Sequence, residues 1–122
     1  MKPGKSGFTR LIDATGHSMK GIRACWEHEA AFRLDVMLSV VLFIAAFYLA
    51  ESAEQWLVLI LPLFLILIVE LLNSAVENAI DRIGPERHHL SGRAKDMGSA
   101  AVFFCLVLIA ISWGAVAWQN LT

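Results

Sequence analysis

The stretch WLVLILPLFLILIVELLNSAVENAIDRIG, Trp56–Gly84, decides the fold. Trp56 to Val69 carries no charge, and carboxylates then enter at Glu70, Glu77 and Asp81, with Asn73 and Ser74 between them. A helix rises about 1.5 Å per residue and the hydrocarbon core of a bilayer is about 30 Å thick, so about 20 residues cross it. A segment apolar enough to enter a bilayer therefore carries acids along part of its length.

Glu70, Asn73, Ser74, Glu77 and Asp81 stand at i, i+3, i+4, i+7 and i+11, which places them on one helix face. Charges facing lipid are costly, so this face turns toward protein or trapped water. With Trp56 at the outer interface, Glu70 lies about 9 Å inside the hydrocarbon edge, and counting back from Asp81 gives about 16 Å. Both place it in the inner half. Asn73 and Ser74 suit helix packing as well as they suit site support, whereas the burial cost of two glutamates argues for function.

Two further apolar segments flank this one: Val36–Ala50, extended upstream by AAFRL with Arg33 snorkelling to the headgroups, and Gly98–Trp118, which ends in interfacial tryptophans. A hydrophobic share of 57% over 122 residues, with 17% charged, is the balance of a membrane protein. Pro62 permits a bend in the middle span. Every Lys and Arg lies either before the first span or between the second and third. The positive-inside rule thus puts the N-terminus and second loop in the cytoplasm and the C-terminus outside.

Upstream, Phe8, Ile12, Thr15, Met19, Ile22 and Trp26 recur at spacings of three and four, while Arg10, Asp13, His17, Lys20 and Arg23 fall elsewhere on the helical wheel. This is an amphipathic helix, suited to the inner membrane face or, for part of its length, to packing on the protein's own core. The first 35 residues hold no continuous apolar core of a signal peptide, so no removable leader is expected. Cys25 and Cys105 form no metal-binding pattern and read as small buried hydrophobes. The net charge of −1 favours no nucleic-acid partner. His17, His28 and the His88-His89 pair lack zinc-ligand spacing, and no phosphate-binding GxxxxGK[ST] loop is present.

A proton relay or ion pathway needs polar groups across the whole membrane, and here they reach in from one side only. Chemistry at the cytoplasmic interface fits better. The segment DRIGPERHHLSGRAKDMGS, Asp81–Ser99, sets Glu86, Arg87, His88, Arg93, Lys95, Asp96 and Ser99 beside the carboxylate face. Acids able to hold Mg²⁺ and bases able to hold phosphate then adjoin, as phosphoryl transfer requires. Glu70 and Glu77 are about 10.5 Å apart along a helix, too far to share one metal ion, so they do different jobs.

GFTR (7–10), EAAFR (29–33), VELLNSAVENAIDRIG (69–84) and LSGRAKDMGSAAV (90–102), in this order on three spans, closely resemble the small prokaryotic diacylglycerol kinase family of the inner membrane. The resemblance covers nearly the whole chain. It implies a homotrimer of three-span subunits with shared active sites, transferring the γ-phosphate of ATP to diacylglycerol. By matching motif, Glu70 resembles the catalytic base, and Glu29 and Glu77 the acids that hold Mg²⁺ with the triphosphate. Arg10, His17, Glu86, Arg87, His88, Lys95 and Asp96 resemble nucleotide contacts. Arg10, Arg23, Trp26, Ala31, Phe32, Arg33, Leu34, Asp35 and Ser99 fall on the lipid side with Glu70, while Asn73, Ser74 and Asp81 support the site. The chain departs from the family pattern at His17 and Arg87, where an aromatic is expected, and at Asp35, where Glu is expected.

The expected architecture is an all-α integral membrane bundle in one domain, residues 1–122. A surface helix covers about 7–28, and spans cover about 30–50, 55–82 and 97–118, with a cytoplasmic loop over 83–96. The expected partners are ATP, Mg²⁺, diacylglycerol, membrane lipids and further copies of the chain. Undecaprenol kinase and a non-catalytic helical bundle are the alternatives.

Overall fold

The computed structural model describes residues 6–84 and 88–122. Its elements are all helical: α1, Gly7–His28; α2, Ala30–Leu49; α3, Ala53–Ile83; and α4, His89–Leu121. The last three are long and apolar enough to cross a membrane. Ser6 caps α1 by accepting from Thr9 N at 3.2 Å, and Ser52 caps α3 by accepting from Gln55 N at 3.1 Å. Each satisfies an amide that the helix start leaves without a partner.

Helices α1 and α2 are separated by a single extended residue, Glu29, at φ −121° and ψ 107°. Arg33 closes this elbow: its Nη1 donates to Trp26 O at 2.6 Å and Glu27 O at 3.3 Å, capping carbonyls in the last turn of α1. The rest of α1 packs little. Cys25 is its one buried residue, while Phe8, Leu11, Ile12, Met19, Ile22 and Trp26 are exposed, which leaves an apolar stripe for a lipid surface to cover.

Helices α2, α3 and α4 form the bundle, and its apolar core lies at the end holding the α2–α3 turn. Ala46, Leu59, Ile60 and Val116 meet there, bordered by Phe43, Leu49, Trp56 and Trp113. Helix α3 runs unbroken through Pro62. Proline cannot donate to Val58 O. The neighbouring carbonyl, Leu59 O, accepts from Trp113 Nε1 at 3.0 Å, so α4 supplies a donor at the weakened turn. A polar clamp closes this end: Asn120 Nδ2 donates to Leu49 O at 2.7 Å and to Gln55 Oε1 at 2.8 Å, tying all three helices.

At the other end, the connection expected over 83–96 is shorter. Residues from His89 onward are helical, so Lys95 and Asp96 project from the second turn of α4 instead of from a loop. The end of hydrophobicity marks where a bilayer stops, and a capped helix continues past it. His88 provides that cap, its Nδ1 accepting from Leu90 N at 3.1 Å.

Candidate functional site

Burial along the polar face of α3 is graded. Glu70 is 5% exposed and Ser74 8%, Asn73 and Glu77 are half-buried, and Asp81 is open to solvent. The single face expected from the spacing therefore exists, and it descends from a wet end to a dry one. The helix reaches its full apolar character only beyond Glu70.

Three helices surround the deep end. The Glu70 side chain faces Asp35 of α2 as well as Asn73 and Glu77 on its own helix. Asp35 Oδ2 is buried without a hydrogen-bond partner. Asn73 Nδ2 donates toward Glu77 Oε1 at 3.5 Å, so one amide lies between the two glutamates. From α1, Cys25 Sγ donates to Ser74 Oγ at 3.5 Å and pins the surface helix to α3. Burial pushes the Cys25 thiol above its ordinary range; the Ser74 contact opposes this, and the charges of Glu29 and Glu70 add to it. The neutral thiol is favoured over the thiolate.

A cleft of about 540 Å³ opens beside this contact, between α1 and α3. Glu29 and His28 line it with Cys25, Ser74 and Asn78, and Gly21 and Ala24 keep its wall low. The elbow residue Glu29 is thus brought to the α3 polar face, whereas Glu77 does not line the same cleft.

At the wet end, Lys95 Nζ meets Asp81 Oδ1 at 3.0 Å across α3 and α4. A residue read as a nucleotide contact is paired with one read as support. His88 and His89 stack at 4.5 Å, and Asp96 and Ser99 are exposed on α4. Glu86 and Arg87 lie outside the described residues. Arg10 and His17 are exposed on α1, and Arg23 is held by Glu27 at 2.9 Å. Of the residues read as lipid contacts, Phe32 is buried at 3%, Asp35 and Arg33 are half-buried, and Trp26, Ala31 and Leu34 are exposed.

The chain matches the family described as prokaryotic diacylglycerol kinase over residues 16–117. The chain belongs to that family. A diacylglycerol kinase of Escherichia coli K12 is 47% identical over 115 residues, covering 94% of each chain. One from Pseudomonas aeruginosa is 48% identical over 113 residues, covering 93% of this chain and 92% of its own. One from Haemophilus influenzae is 44% identical over 111 residues, covering 91% and 94%. Family membership and three apolar helices together make this a membrane protein. The motifs that carried the resemblance fall within the prokaryotic diacylglycerol kinase match, apart from GFTR at the start of α1.

Two participants in the site escaped the sequence reading. Cys25 was legible as buried, but its contact with Ser74 depends on how α1 docks. Gly98 stands in a run of small residues, GSAA, which is the usual signal for close helix approach. A side chain there would overlap Asn73 Oδ1.

Proposed function

We propose that this chain phosphorylates the primary hydroxyl of 1,2-diacylglycerol, with ATP as donor, at the cytoplasmic face of a bacterial inner membrane. The observation that carries the reading is Glu70: a carboxyl 5% exposed at the foot of a polar face that opens to one side only. A lipid hydroxyl reaches that depth from the bilayer, and a phosphate reaches the shallower acids from water.

In this reading Glu70 accepts the hydroxyl proton as the oxygen attacks the γ-phosphorus. Asn73 holds the Glu77 carboxylate with its amide. Lys95, at the mouth between α3 and α4, offers a cation to phosphate oxygens when it exchanges Asp81 for substrate.

The donor set suits magnesium. Glu29 and Glu77 present hard carboxylate oxygens, and among the described residues no cluster of three or more His, Cys, Asp or Glu could hold a metal ion unaided. An ion bound by one or two carboxylates together with substrate phosphates needs no such cluster. Glu77 and Glu29 would hold it, and when bound it supplies charge neutralisation to the triphosphate.

A homotrimer with sites shared between subunits fits the same facts. Glu29 and Glu77 do not line one cleft within the chain, and long apolar faces of α2 and α4 remain uncovered. The Lys and Arg distribution supports a cytoplasmic N-terminus and α3–α4 connection, with the C-terminus periplasmic.

The test is ATP-dependent phosphorylation in mixed micelles, with diacylglycerol and undecaprenol side by side. Phosphatidate is expected. Product from undecaprenol alone would overturn the substrate assignment, and no product from either lipid would restore the non-catalytic bundle.

A further inference from the structure

We infer that Gly98 is a positioning residue for the phosphoryl transfer proposed above: by presenting no side chain, it lets Asn73 turn its amide oxygen into α4 and its amide nitrogen toward the acids of α3. The inference rests on that functional reading and adds a residue that acts through another.

The Asn73 side chain has two unlike ends. Its Nδ2 donates toward Glu77 Oε1 at 3.5 Å, and the side chain also faces Glu70. Its Oδ1 is buried with no hydrogen-bond partner. An oxygen turned toward two carboxylates would repel them, so the amide is useful only in the observed sense, with the oxygen stowed elsewhere. Gly98 is where it is stowed. A Cβ at position 98 would overlap Asn73 Oδ1 and lie 3.0 Å from its Cγ.

Among the described glycines this seat is singular. A Cβ at Gly7, Gly16, Gly21, Gly84, Gly92 or Gly114 would meet nothing within 4 Å. At Gly98 the three nearest atoms all belong to the Asn73 side chain, with its Oδ1 nearest. A methyl group there is accommodated by swinging Asn73 away, which spares the helix packing and withdraws the donor from the acids. The open question of whether Asn73 packs or serves the site thereby resolves: its oxygen packs so that its nitrogen can serve.

The experiment is a double-mutant cycle on kcat for diacylglycerol phosphorylation, with melting of each purified variant followed in the same micelles. Gly98→Ala is expected to lower kcat about 10- to 100-fold, the scale of an ångström-level misplacement, with melting little changed. Asn73→Ala is expected to lose a similar factor, and adding Gly98→Ala to it should change kcat by less than about twofold, because its target is gone. Gly114→Ala, on the same helix, should keep kcat within about twofold. Full activity in Gly98→Ala, losses that multiply in the double variant, or an equal loss in Gly114→Ala would each overturn the inference. If Gly98→Ala fails to assemble, the Asn73→Ala/Gly98→Ala pair must regain assembly, since the overlap is gone; failure to do so also overturns it. Absence of turnover in the unmutated chain would instead sink the proposed function.

Discussion

Replacing Glu70 by Gln tests the central role with almost no change of shape. Glu70 is 5% exposed and faces the Asp35 carboxyl, whose Oδ2 has no hydrogen-bond partner. Two carboxyl groups meet there. In Glu70→Gln, one becomes an amide able to donate to the Asp35 carboxyl, so an amide–carboxyl hydrogen bond replaces an acid–acid contact and the fold is retained or firmer. Chemistry is affected differently, because Gln cannot take the proton of the attacking hydroxyl. General-base removal costs about 10²- to 10⁴-fold in kcat, or about 3–5 kcal/mol of transition-state stabilisation. The assay is turnover of diacylglycerol in mixed micelles, with melting and MgATP titration on the same sample. Expected are an unchanged or higher melting midpoint, a nucleotide affinity within about threefold of the parent, and kcat down by at least about 100-fold. A stable variant that binds nucleotide and keeps a tenth or more of the parent turnover would refute Glu70 as the base.

Glu77→Gln should lose activity that excess Mg²⁺ partly restores, because the metal then depends on phosphate and one fewer carboxylate; a magnesium titration that leaves the deficit unchanged would remove the metal role. Trp113→Phe keeps an aromatic ring but removes the pyrrole part of the indole with its donor to Leu59 O, and should lower the unfolding free energy in detergent by at least about 0.6 kcal/mol, the average for such bonds between membrane helices. Cys25 should react with a maleimide more slowly in the native protein than after denaturation at pH 8, since burial favours the neutral thiol and the thiolate is the nucleophile. Native labelling as fast as denatured labelling would show that α1 does not hold its docked position against Ser74.

Much of the fold was legible because its signals are local. Hydrophobic length set α2 and α3 to within about two residues of their ends, an ordinary error for helix boundaries. The Phe8–Trp26 periodicity marked α1. The start of α4 was not legible: Arg93, Lys95 and Asp96 look like loop, whereas the chain is already wound from His89, behind the His88 cap. The carboxylate face was also local, fixed by helical spacing. What sequence could not give is anything joining separate helices. The pairing of Lys95 with Asp81, the thiol of Cys25 on Ser74, and the seat of Asn73 on Gly98 each depend on how helices rotate against one another. Glu29 illustrates the limit: its motif suggested a role, but its entry into the α1–α3 cleft follows from the elbow that Arg33 closes.

The two ends of the bundle differ in a way that bears on how such a site can exist in a membrane. At the α2–α3 turn the helices are locked by apolar packing around Leu59 and by the Gln55–Asn120 clamp. At the other end the helices are joined by the Cys25–Ser74 and Lys95–Asp81 contacts, and the buried Asp35 Oδ2 and Asn73 Oδ1 lack hydrogen-bond partners, as Trp56 Nε1 does at the turn end. A fully satisfied polar network there would be more stable and would leave nothing to offer a substrate. The locked end supplies the rigidity, so the open end tolerates acids that face one another. On the proposed reading, stability and reactivity are separated along α3, with Pro62, backed by Trp113 of α4, on the structural side and Glu70 on the chemical side. This arrangement predicts which variants fail in which way: changes around Leu59 weaken assembly first, and changes around Glu70 abolish turnover in protein that still assembles.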